Sequence, residues 1–154
     1  MSLTETQLKI IELLAEHERV ISQLYKEYAR KFPEQNDFWS KIADEEIEHA
    51  SWIFKLRSQV EKGSLYFKEG RFKTEAIKTS LEYLKSQITE VQNKKISAKN
   101  ALSVARDLEN GLIEKKFFEI FESDCREIKQ VLRDLAAATR EHRNRIEKAW
   151  KEIR

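Results

Sequence analysis

The segment Trp39-Ser40-Lys41-Ile42-Ala43-Asp44-Glu45-Glu46-Ile47-Glu48-His49-Ala50-Ser51-Trp52-Ile53 decides the fold. Steps of three and four through it select Trp39, Ile42, Glu46, His49 and Ile53, then Leu56 and Val60, the spacing of one face of an α-helix. A carboxylate and an imidazole thus occupy consecutive inward positions of an otherwise apolar stripe. An isolated buried carboxylate costs several kcal/mol even after relaxation, roughly what a whole domain has to spare. Something must compensate it.

The flanking sequence supplies more helices of the same kind. Thr4-Glu5-Thr6-Gln7 reads as a capping box, and apolar residues follow at Leu8, Ile11, Leu14, Ile21, Tyr25, Tyr28 and Phe32 until Pro33 closes the helix. Its stripe is broken at Glu18, seven residues after Ile11 and seven before Tyr25. The second helix starts near Asn36 or Asp37 and ends at Gly63, and the linker of about five residues makes the two antiparallel. Residues 63–73 hold two of the three glycines and mark a connection across the domain. Thr74 caps a shorter helix through Ile77, Leu81, Leu84, Ile88 and Val91. A third long helix is expected from about Ser97 through Leu102, Ala105, Leu112, Ile113, Phe117 and Ile120, broken at Glu109. Asp124-Cys125-Arg126-Glu127 resembles another capping box, and Ile128, Leu132, Leu135, Thr139, His142, Ile146 and Ile153 trace the last helix.

The expected architecture is one all-α domain over residues 1–154. It has two antiparallel helical hairpins, 4–62 and 97–153, and a crossover, 63–96, carrying the extra helix. A helix such as 4–30 would be about 40 Å long, enough for four to enclose a continuous core. Composition agrees. Glycine and proline total 4 of 154 residues, where average usage gives roughly 18, so a turn-rich sandwich or barrel is excluded. Charged residues at 36% and hydrophobic ones at 40% fit neither a disordered chain nor membrane spans. A net charge of +2 provides no strong field to recruit nucleic acid or anionic lipid. The single cysteine, Cys125, excludes an internal disulfide and a paired-cysteine zinc or rubredoxin-type site. The N-terminus has no secretory pattern, and a cytoplasmic location is expected.

The polar breaks repeat between the hairpins: Glu18 precedes His49 by 31 residues, and Glu109 precedes His142 by 33. Breaks at similar depth in antiparallel helices should bring Glu18, Glu46, His49, Glu109 and His142 to one interior point. A cation there would resolve the cost, and carboxylate with neutral imidazole suits iron, manganese or zinc. Glu-x-x-His at i, i+3 aims both groups at one centre.

Glu18 with Tyr25 seven later, Ala43-Asp44-Glu45-Glu46-Ile47-Glu48-His49-Ala50, Glu109 and His142 together resemble the ferritin-like di-metal carboxylate proteins, and among them the rubrerythrin-like branch without its rubredoxin domain. The resemblance implies a four-helix bundle in which Glu18 and His49 hold one metal, Glu109 and His142 the other, and Glu46 bridges. It also implies a di-iron oxidoreductase acting on dioxygen or peroxide, an external electron donor and a homodimer. One departure matters: Thr139 stands three before His142, where the pattern has a second Glu. With three carboxylates facing two divalent ions, the second ion should bind more weakly or need an external anion. Glu141 lies about 200° from Thr139 around the helix and is a poor substitute. The alternatives are a non-catalytic protein holding one ion and a metal-free helical scaffold.

Other residues read as structural. His17 lies about 100° off the stripe and is expected at the solvated surface. Tyr25 is expected as a core aromatic with a satisfied hydroxyl, with a supporting role at the metal implied by the resemblance. Gly111 is read as an interior helical glycine and Cys125 as a spectator thiol. Arg140, Arg143, Arg145, Lys148, Lys151 and Arg154 alternate with acids as a solvated face.

Overall fold

The computed structural model describes residues 3–67, 74–111 and 121–153. Its helices are α1 (Leu3–Lys31), α2 (Asn36–Lys55), α3 (Arg57–Glu61), α4 (Thr74–Asn93), α5 (Ala98–Glu109) and α6 (Arg126–Glu152). Two short strands, β1 (Tyr66–Phe67) and β2 (Phe121–Glu122), pair antiparallel, with Tyr66 opposite Glu122. The protein is all-α as expected. Among the described residues, no helix is long and apolar enough to cross a membrane.

Pro33 ends α1 because it has no amide hydrogen; a single 3₁₀ turn over Pro33–Gln35 then reverses the chain into α2. The contacts between α1 and α2 run in opposite directions along the chain. Tyr28 packs at a tilt on Trp39, Ser22 Oγ donates to Ala43 O at 2.8 Å, and Arg57, in α3 just beyond α2, pairs with Glu12 at 3.5 Å. The helices are therefore antiparallel. By the same reasoning α5 and α6 are antiparallel, through Arg106 with Glu147 at 2.6 Å and Trp150 Nε1 donating to Ser103 Oγ at 3.0 Å. Between the pairs, Glu45 and Glu46 of α2 meet His142 and Arg145 of α6, and Tyr25 of α1 meets Glu109 of α5.

Several boundaries differ from the sequence reading. α2 is interrupted at Leu56 and resumes as α3, with Gly63 (φ 78°) closing the segment in the left-handed region that glycine tolerates. The third long helix stops at Glu109, and Leu112, Ile113, Phe117 and Ile120 lie outside the described residues. Gly111 is thus past a helix end and not inside a helix. A Cβ there would sit 2.9 Å from Leu108 O, close enough to force the backbone to shift. α6 starts with Cys125 as its N-cap and no side-chain capping bond, so the expected Asp124 box does not form. Ser123 Oγ instead accepts from Cys125 N at 3.0 Å. Thr4 lies within α1.

α4 packs on α1. Its Ile77, Leu81, Leu84 and Val91 are buried, and α1 becomes buried on two faces. That places His17, 3% exposed, inside, with Nε2 2.7 Å from Ser80 Oγ, and corrects the expectation of a solvated histidine. With no acid to offset it, burial lowers the His17 pKa from 6.5 to about 4.

Candidate metal centre

The antiparallel pairing of α1 with α2 sets Glu18 beside Glu46, and α2 against α6 sets Glu46 beside His142. All five predicted residues are buried: Glu18, Glu46, His49, Glu109 and His142. Glu46, His49 and His142 each offer a ligand atom, and these atoms lie within 4.8 Å of one another. His142 Nδ1 is 2.8 Å from Glu46 Oε1, and His49 Nδ1 is 3.7 Å from Glu46 Oε2. The two imidazole rings are 4.7 Å apart. Glu18 lies within hydrogen-bonding reach of Glu46, and the charge of Glu109 is felt there too. Glu109 Oε1 accepts the Tyr25 hydroxyl at 3.0 Å, so Tyr25 is a core aromatic whose hydroxyl positions a candidate ligand.

The electrostatics are those of a site short of positive charge. Burial pushes the Glu46 carboxyl up from 4.5 to about 7, and Glu109 adds to the rise, against the opposing pull of Glu18 and His49. Two carboxylates in contact can bond to each other only through a proton or a cation. Burial lowers the His142 pKa, partly countered by Glu45, which favours the neutral imidazole that metals require. A carboxylate oxygen and two imidazole nitrogens, buried and convergent at Glu46, His49 and His142, fit a divalent transition ion.

Sequence reasoning missed Glu45 and Arg145. Glu45 Oε2 takes the remaining nitrogen of His142, and Arg145 grips the same carboxylate, with Nη1 3.1 Å from Oε1 and Nη2 on Oε2. Burial alone would raise the Glu45 pKa, but hydrogen bonds from Arg145 and His142 outweigh it and hold the carboxyl below its usual value. Glu45 therefore stays ionised and fixes the His142 ring, leaving Nδ1 toward Glu46. The spacing of His142 and Arg145, i and i+3, is the available sequence signal, and the acids alternating with the basic residues of this helix mask it as a solvated face. Thr139 donates its hydroxyl to Leu135 O at 3.0 Å, within its own helix. Glu141 is largely exposed and 3.7 Å from Arg145 Nε, so it does not stand in for the missing carboxylate.

Comparison with protein-family models, curated proteins and solved structures finds no match for the chain.

Proposed function

We propose that this chain is a ferritin-like metal-binding protein whose centre is built on Glu46, His49 and His142, with Glu18 and Glu109 as the further ligands. The convergence of three buried ligand atoms within 4.8 Å carries the reading. The up-and-down run of α1, α2, α6 and α5 around these residues supports the comparison with a ferritin-like bundle. Iron fits the donor set best for a redox role; manganese and zinc use the same donors. A bound iron pair would supply electrons to dioxygen or peroxide, which makes a rubrerythrin-like di-iron oxidoreductase the enzymatic form of this proposal.

The protein's own groups would prepare such a site. Glu45, held by Arg145, fixes the ring and tautomer of His142. Tyr25 holds one oxygen of Glu109. Trp39, Ile42 and Ile146, all fully buried, add to an apolar surround that keeps bulk water out. A single cysteine leaves any electrons to arrive from an external donor.

A second reading has one specific observation behind it. Thr139 spends its hydroxyl on Leu135 O where a second bridging carboxylate would belong, which favours one tightly held ion and no turnover. Elemental analysis of protein purified without chelators, against Glu46→Ala/His49→Ala, tests the shared core of both readings. One to two ions per chain in the parent and none in the variant are expected. No metal in either, and no thermal shift with Fe(II), Mn(II) or Zn(II), would leave a metal-free scaffold. Two ions per chain with peroxide consumption lost in Glu46→Ala would select the oxidoreductase; one ion without consumption would select the holding protein.

A further inference from the structure

A half-open groove of about 300 Å³ lies beside the five candidate ligands, between α2–α3 and the first half of α6. Trp52, Leu56, Ile128 and Val131 give it an apolar lining, and Lys55 and Asp134 bring one positive and one negative charge from opposite helices. The apolar side chains along this groove face water, which an apolar occupant would displace. The volume is at the lower end of that of small-molecule sites, which combine apolar walls with a few polar groups. No carboxylate among the described residues pairs with Lys55, while Asp134 Oδ1 accepts only from the neutral Gln130 side chain, at 2.8 Å. Both charges remain available for a charged head group. A fatty acid would satisfy Lys55 and be repelled by Asp134, and an amine would do the reverse.

We infer that this groove binds a small zwitterion with an apolar body, of the chemistry of an aromatic α-amino acid. Its carboxylate meets Lys55, its ammonium meets Asp134, and its ring lies against Trp52, Leu56, Ile128 and Val131. Opposite charges on the two walls favour a head group carrying both signs over one carrying either alone. Trp52 also packs on His49, with ring centroids 5.6 Å apart, so one indole lines the groove and touches the candidate metal centre. Occupancy does not depend on metal binding. If both sites fill, however, the shared indole is where they would couple, and the coupling must be equal in both directions.

The test uses the full metal-free chain and three probes: L-phenylalanine, phenylacetate and phenethylamine. Binding is followed by calorimetry and by the Trp52 indole N–H resonance, assigned with Trp52→Phe. L-Phenylalanine is expected to bind one per chain and move that resonance, with each single-charge probe at least tenfold weaker. Lys55→Met and Asp134→Asn should each weaken L-phenylalanine about tenfold. Val131→Trp, which fills the space, should abolish binding while the helical circular dichroism is unchanged. Equal affinity for all three probes, or no shift of the Trp52 resonance with any, overturns the inference. So does a dimer that Val131→Trp converts to monomer, since a second copy would then be the occupant.

Discussion

At the residue scale, His142 shows how a candidate ligand is oriented by a neighbouring group outside the candidate set. An imidazole can present a lone pair only when its other nitrogen carries the proton, and Glu45, ionised and held by Arg145, is placed to accept that proton's hydrogen bond. Glu45→Gln keeps the shape but loses the charge that selects the tautomer. Metal affinity should then fall roughly 10- to 100-fold, the usual range for such supporting groups, in a competitive chelator titration. An unchanged affinity would mean the metal takes His142 without help. His17 gives a second expectation, on stability. The unfolded histidine takes a proton near 6.5 and the folded one only near 4, so the unfolded state binds more protons in between and stability falls with decreasing pH. The loss should begin near pH 6.5, level off below about 4, and reach about 3 kcal/mol. Urea unfolding at a series of pH values checks it; in His17→Gln that component of the slope should vanish.

At the element scale, α5 is the most exposed to small changes, because it is 12 residues long and carries Glu109 at its last position. Short helices are marginal without caps and packing. Ser97 accepts from Asn100 N at 3.0 Å, and Asn100 Oδ1 reaches back to Ser97 N at 3.3 Å, a reciprocal box. Ser97→Ala should lower stability by about 1 kcal/mol, read as a lower urea midpoint at unchanged slope. The elements also show what a sequence carries and what it does not. The end of α1 and the close of the α2–α3 segment were legible because Pro33 and Gly63 act locally, through a missing amide hydrogen and a tolerated positive φ, whereas the break at Leu56 was not. The end of α5 was not, although Asn110-Gly111 is an ordinary stop, because apolar spacing resumes at Leu112 and masks it. The buried second face of α1 depends on where α4 docks. Ile10 and Leu24, seven residues on either side of His17, were its faint trace. The five seam residues were legible because burying charge on a helix stripe is costly wherever it occurs. Glu45 was not, because it sits off the stripe and earns its role only when α6 is in place.

At the scale of the whole molecule, the seam is a fault that folding tolerates and an ion would repair. Three carboxyl groups and two imidazoles share the interior between α1, α2, α5 and α6, and Glu46, raised to about 7, carries the proton that stands in for a cation below that pH. The raised group contributes stability below its unfolded pKa of about 4.5, and that contribution is lost as pH rises through about 7. A metal must displace this proton, so binding and pH are linked in the opposite sense: the ion binds more tightly as pH rises through the same range. An ion at 100 times its dissociation constant stabilises the fold by about 2.7 kcal/mol. For a chain of this size that raises Tm by roughly 5–10 °C. The rise on adding Zn(II), chosen because it has no redox chemistry of its own, should therefore be larger at pH 8 than at pH 6 at the same free ion concentration. It should disappear in Glu46→Gln and reverse on chelation. A shift of the same size at both pH values would show that the ion binds elsewhere than on the carboxyl shared by these helices.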